Sequence, residues 1–290
     1  MYEVTSTINN TAKTVDFLIS GTSTNNDVVI PTTVAANSIT YTVTEIEDYS
    51  FLGASLPNIS SLVIPDGITR IGYQAFRYNN LSSLTIPDSV ETIGAGAFWL
   101  NTNLSNVTLG NNVTTIGDQA FQSCNISTIV FPSNLTTIGF VAFKNNQLSN
   151  VTIPNNVTSI GYEAFTGNPL TDVTSIATSP PSIFTGSIDT FADDRSNINL
   201  HIPQGTTGVY VTNSGALWTG FNTVTEDAPL STSNFELNNQ IKIATTTNVI
   251  KIISNNSLKL QNYIIYTISG VEVSAGNENI IPTNSLSKGI

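Results

Sequence analysis

Charge is scarce in this chain. Charged residues make up 10% of its 290 positions, against about 25% in an average globular protein. Bases are scarcer than acids, 9 Lys and Arg against 20 Asp and Glu, for a net charge of −11. Residues 1–234 hold 17 acids and 5 bases, a balance of −12, and residues 235–290 hold 3 and 4, a balance of +1. A negative body without a basic stripe repels phosphate backbones, so no nucleic-acid partner is expected. One cysteine, Cys124, excludes an intrachain disulfide and indicates no redox compartment. One histidine, His201, leaves little for acid–base or metal chemistry. No apolar run approaches the length of a membrane span, so no transmembrane segment is expected. Residues 1–20 lack a basic start followed by a long apolar stretch. No export leader is expected there, and if the protein is secreted, Met1 is not its native start.

What fills the chain is Asn, Thr and Ser around a 40% apolar fraction, a composition rich in strand and turn formers. It repeats. Residues 81–98 read LSSLTIPDSVETIGAGAF and residues 148–165 read LSNVTIPNNVTSIGYEAF. Phe76, Phe98, Phe121, Phe143 and Phe165 recur at intervals of 22, 23, 22 and 22. Ile71-Gly72, Ile93-Gly94, Ile116-Gly117, Ile138-Gly139 and Ile160-Gly161 keep step. Pro65, Pro87, Pro132 and Pro154 share one register, with Gly110 in their place in the third unit. Such a period marks a stacked repeat architecture.

The unit has a physical logic. In SLTIP, Leu84 and Ile86 face one way and Ser83 and Thr85 the other, as in a strand. Proline then ends the strand, having no N–H to donate. Val90 and Ile93 bring the chain back over the core, and Gly94 permits a tight backbone. Ala97 is small and Phe98 large, which suits a stacked interior. One unit cannot bury its own apolar face, whereas several stacked units form a continuous core. The phenylalanines are therefore expected to make an internal column.

The unit L-x-x-L-x-I-P-x-x-V-x-x-I-G-x-x-A-F-x-x-N resembles the BspA-like branch of leucine-rich repeats, over roughly residues 28–227. The resemblance implies a mainly β solenoid of 22–23-residue coils. Residues 1–50 read as an N-terminal cap and atypical first repeat, 51–195 as repeats and 196–227 as a C-terminal capping repeat. In this closing unit NLHIP is followed by Tyr210, Trp218 and Phe221.

Residues 228–234, APLSTSN, read as a linker, and 235–290 as strands. IIYTISGV at 264–271 and LSKGI at 286–290 are similar to the type IX secretion sorting domain, a small immunoglobulin-like β-sandwich. That family's last motif runs on into another apolar strand, whereas this chain stops at Ile290, so the sandwich is expected to be incomplete. ATTTN stands where the family carries Asn-Pro. The resemblance implies export from a Gram-negative cell, with the secretion machinery as partner, to the medium or the cell surface. The plain alternative is a β-rich accessory domain.

A search for chemistry returns little. His201 alternates with Leu200 and Ile202 and is expected to face solvent. Cys124 falls in the register of Asn79, Asn146 and Asn168, where a turn-forming side chain suffices. Asp189, Asp193 and Asp194 could contribute oxygens to a calcium ion, but a solvated loop is the preferred reading. GAGAF at 94–98 lacks the third glycine, the helix and the lysine of a phosphate loop. Asn-x-Ser/Thr triplets follow from an Asn/Thr-rich repeat. No catalytic residue, cofactor or metal site is expected.

Two surfaces remain for binding. The strand ladder presents Ser61, Val63, Ser83, Thr85, Asn106, Thr108, Thr128, Val130, Asn150, Thr152, Asp172 and Thr174, a flat neutral face without the usual anchors. The residues after each repeat phenylalanine differ more: Arg77 and Tyr78, Trp99 and Leu100, Lys144. Differing side chains on a fixed scaffold are where recognition is usually placed. The expectation is a non-enzymatic, secreted or cell-surface protein binding an extracellular protein or glycan. The alternative is a structural scaffold or spacer without its own ligand. An enzyme would need a convergent constellation that one histidine, one cysteine and scattered carboxylates do not supply.

Overall fold

Every coil places a Thr-Ile or related pair at the same point, and these pairs hydrogen-bond from coil to coil. Glu45–Ile46, Arg70–Ile71, Thr92–Ile93, Thr115–Ile116, Thr137–Ile138 and Ser159–Ile160 form one six-stranded parallel sheet, Ile over Ile throughout. The computed structural model describes residues 26–35, 38–53, 58–192 and 194–227 with their side chains, and the backbone of further strands within 2–17, at 36 and within 236–282. The chain divides into two compact units, Met1–Asp227 and Ala228–Ile290.

Phenylalanine fills the interior of the first unit. Phe51, Phe76, Phe98, Phe121, Phe143, Phe165 and Phe191 stack in one column, with successive centroids 4.9–5.8 Å apart and planes within 16° of parallel. That is the offset stacking aromatic rings prefer. The column runs beyond the five regular units at both ends and closes on Trp218, whose ring lies 5.2 Å from Phe191. Trp218 is itself buried and donates its indole N–H to Pro181 O at 2.9 Å.

Glycine at the Ile-Gly register lets the coils approach. A Cβ on Gly94 would fall 2.7 Å from backbone atoms of Ile71 and Gly72, and one on Gly139 would fall 2.4 Å from Asp118 N. The cause is coil-to-coil contact rather than an unusual φ.

A second ladder holds the turns. Asn79, Asn101, Asn146 and Asn168 lie three residues after Phe76, Phe98, Phe143 and Phe165. Asn146 Nδ2 donates to Phe121 O at 2.8 Å and Phe143 O at 3.1 Å, and its Oδ1 accepts from Ile126 N at 3.0 Å. Asn79, Asn101 and Asn168 repeat the scheme. Cys124 occupies the same register. Its thiol donates to Phe98 O at 3.4 Å, and Leu104 N, which a fifth asparagine would have served, bonds Asn101 O instead. Asn146→Ala strands two carbonyls and an N–H inside the wall and should cost about 2–3 kcal/mol. Cys124→Ala gives up one weak bond and should cost about 1 kcal/mol. Urea denaturation of the two variants side by side checks the order, and equal losses would refute the bracing role.

The strand ladder is less continuous than the repeat suggests. Ser83–Thr85 pairs with Asn106–Thr108, and Asn150–Ile153 begins a four-stranded parallel sheet through Asp172–Ser175, Asn199–Pro203 and Thr223–Asp227. Between them, Ile126–Phe131 forms no strand. Phe131 stands where the neighbouring coils carry Leu109 and Ile153. Its buried ring lies edge-on to Phe143 at 5.4 Å and Phe165 at 6.3 Å.

At the amino end, the backbone of Thr11–Ala12 pairs in parallel with Thr42–Val43. In Ala228–Ile290, Glu236–Leu237, Ile241–Thr245, Val249–Ser254 and Ile280–Pro282 form an antiparallel sheet, and Tyr263–Tyr266 pairs with Glu272–Gly276. The linker at 228–234 and LSKGI at 286–290 lie outside the described residues. Among the described residues no helix is long and apolar enough to cross a membrane.

Candidate functional site

The segment after each phenylalanine is an extended turn whose backbone bonds the next coil. Phe76 N donates to Ala97 O at 2.7 Å, Tyr78 N to Trp99 O at 2.9 Å and Leu100 N to Gln122 O at 3.0 Å. Tyr78 and Leu100 adopt left-handed φ values of 60° and 63°, a conformation that costs a non-glycine residue energy. Tyr78 reaches solvent, with 44% of its surface exposed.

Arg77, Tyr78 and Trp99 come together from two adjacent coils. The two rings are 6.4 Å apart and 26° from parallel. The Arg77 guanidinium lies 3.7 Å from the Trp99 ring centroid and 4.5 Å from that of Tyr78. Nη1 donates to Gln74 Oε1 at 2.9 Å, and the buried Nε has no hydrogen-bond partner among the described residues. Contacts of this kind stabilise by about 0.5–2 kcal/mol. Arg77 covers one face of the half-buried Trp99, so Tyr78 is the freer ring. Leu100 adjoins the group in sequence. Lys144 does not join it: two coils further on, its ammonium bonds Glu163 Oε2 at 2.6 Å. Asn106 and Thr108 sit on one short sheet and Asn150 and Thr152 on another, with Ile126–Phe131 between, so these four residues share no continuous ladder.

The expected solvated loop holds for Asp194, which is exposed, but not for Asp189. Asp189 is buried, accepts from Phe191 N at 2.9 Å and Ala192 N at 3.3 Å, and pairs with the buried Arg195, Oδ2 to Nη2 2.6 Å. Arg195 also donates to Leu217 O, Thr219 O and Phe184 O. This is a structural clasp on the last coils. Asp194 accepts from Ser196 N at 2.8 Å, and Asp193 lies outside the described residues. Among the described residues no group of three or more His, Cys, Asp or Glu converges on a metal position. Burial pushes the Cys124 thiol up to about 12, so it is no nucleophile near neutrality. His201 stands between two carboxylates, 3.6 Å from Asp172 and 3.4 Å from Asp227.

One feature escaped the reading of the sequence. Phe140 and Tyr162 stack at 4.6 Å, and Phe184 meets both edge-on at 6.0 Å. Phe140 and Phe184 are about 40% exposed. Tyr49 and Tyr73 make a similar pair near the amino end, 5.1 Å apart. The residue directly after Ile-Gly, where Tyr73, Phe140 and Tyr162 fall, carried the signal.

This geometry defines a leucine-rich-repeat solenoid. More narrowly, the sequence matches the BspA type leucine rich repeat region in six copies, over residues 31–147 and 114–212, and the chain belongs to that family. A leucine-rich repeat protein from Bacteroides ovatus ATCC 8483 shares its fold, with 23% identity over 78% of this chain and a TM-score of 0.50. The present chain spans about half (51%) of that protein. A leucine rich cell surface protein from Faecalibacterium prausnitzii A2-165 is 18% identical over 80% of this chain and 94% of its own, TM-score 0.31. The pneumococcal vaccine antigen PcpA is 14% identical over 78% and 96%, TM-score 0.34. No curated protein matches the sequence.

Proposed function

We propose that the protein is a non-enzymatic, secreted or cell-surface binding protein that recognises an extracellular protein or glycan through its solenoid. The observation that carries this reading is the Arg77–Tyr78–Trp99 group. Two aromatic rings and a guanidinium, the side chains most enriched in binding hot spots, stand together on the solenoid surface. Tyr78 is exposed at a left-handed turn position that recurs from coil to coil, at Leu100, Ser123, Asn145 and Gly167. The BspA-type repeats agree with a surface role. Sequence similarity in 264–271 and 286–290 further supports export through a type IX system, and the two antiparallel sheets of Ala228–Ile290 supply strands that a sorting β-sandwich needs.

The test is binding of the full chain to an array of glycans and matrix proteins. Tyr78→Ala and Trp99→Ala should each weaken a saturable hit about 10-fold or more, with the melting transition kept as a check on folding. Indifference of both variants would favour the second reading, a surface scaffold without its own ligand. That reading draws on the many polar side chains, such as Asn146 and Thr136, committed to bonds between coils.

A further inference from the structure

A groove of about 440 Å³ runs across four coils, lined by Glu91, Asn112, Thr114, Asn134, Thr136 and Asn156. Its chemistry is one-sided. Asn112 Nδ2 donates to Asp88 O at 2.8 Å, Asn134 Nδ2 to Asn111 O at 2.9 Å and Asn156 Nδ2 to Ser133 O at 2.8 Å. Thr114 Oγ1 donates to Glu91 O at 3.1 Å and Thr136 Oγ1 to Thr114 O at 2.9 Å. Each of the five side chains thus spends a donor on the preceding coil. What these side chains keep uncommitted is three amide Oδ1 atoms, two hydroxyl oxygens and the Glu91 carboxylate. Among the described residues, none of these oxygens accepts a hydrogen bond. Apart from the second N–H of each amide, the lining offers acceptors.

The surroundings have the same bias. No lysine or arginine occurs between Tyr78 and Phe143, whereas Asp88, Glu91 and Asp118 do. Residues 1–227 carry 17 acids and 5 bases. Lysine and arginine side chains are donors with no acceptor, the complement of such a lining, and a negative field draws them in. A sugar ring is served less well. Its hydroxyls bring acceptors that find few donors here, and the lining has no aromatic ring to stack on.

We propose that this groove binds lysine- or arginine-bearing extended peptide, a basic segment of a partner protein, with Glu91 taking the charge and the Asn and Thr oxygens taking the remaining N–H groups. The site is separate from Tyr78 and Trp99 and does not depend on their role.

The experiment titrates the full chain with three labelled octapeptides, alternating Gly-Arg, Gly-Glu and Gly-Ser, and with a neutral chito-oligosaccharide. Saturable binding of the Gly-Arg peptide is expected. It should weaken about fivefold in Glu91→Gln, a loss on the scale of one exposed charge pair, and at least as much in Thr114→Val with Thr136→Val. Asp66→Asn removes the same charge from an exposed side chain elsewhere and should leave the affinity unchanged. Among the described residues the Glu91 side chain makes no hydrogen bond or ion pair, so its variant reads the site even where the threonine pair fails to fold. Equal weakening in Glu91→Gln and Asp66→Asn would show diffuse attraction to an acidic body and overturn the proposal. So would binding of the oligosaccharide in the groove with the Gly-Arg peptide silent.

Discussion

Phe121→Ala should lower the unfolding free energy by about 3–5 kcal/mol, the range for truncating a buried aromatic ring. Phe121 is fully buried and stacks 5.4 Å from Phe98 and 5.3 Å from Phe143. In a solenoid each coil contacts only its neighbours, so the cavity weakens two interfaces at once and divides the column near its middle. Urea denaturation followed by circular dichroism should show the loss. The transition should also broaden as the two halves lose their coupling. Phe121→Leu keeps most of the volume and should cost less than half as much. A loss under about 1 kcal/mol for the alanine variant would mean that the column does not carry the core.

Arg195→Ala should cost about 3–5 kcal/mol, because it leaves a buried carboxylate without its counter-charge. The side chains of Arg195 and Asp189 are 5% and 8% exposed. Arg195 also satisfies three backbone carbonyls, Leu217 and Thr219 in one later segment and Phe184 in an earlier one. Its guanidinium lies 5.6 Å from the Phe191 ring and 5.2 Å from that of Phe221. The expected signature is local. Amide exchange should accelerate across residues 184–222 before the middle coils respond, since terminal units of a repeat array open first. A double-mutant cycle with Asp189→Asn should give a coupling above 1 kcal/mol. Uniform acceleration along the whole solenoid, or no coupling, would refute the clasp.

The two predictions differ in how far they could be read from residue order. Phe121 was legible, because a stacked coil repeats its contacts and the contacts repeat the residue. The same holds for Gly94 and Gly139, whose register marks where backbones touch, and for the Asn146 register. Cys124 was legible as a member of that register, and the bond from its thiol to Phe98 O agrees with a turn role.

The binding candidates were legible in part. Arg77, Tyr78 and Trp99 stood out because they break the neutral pattern. That Arg77 would cover Trp99, and that Lys144 would be tied to Glu163, depends on side-chain reach between coils and not on spacing. Phe140, Tyr162 and Phe184 went unseen because apolar residues in a repeat read as core, and only the fold shows which of them lie on the outer wall.

By itself, then, the sequence determined the solenoid: the 22–23-residue period, the stacked Ile and Phe registers and the glycines between coils. These are nearest-neighbour contacts that recur, so one-dimensional periodicity encodes them. The tertiary structure decided what occurs once. It broke the strand ladder at Ile126–Phe131, buried Asp189 against Arg195 and grouped the exposed rings. Each depends on side chains from different coils meeting at a single place, and no repeat announces a contact made only there.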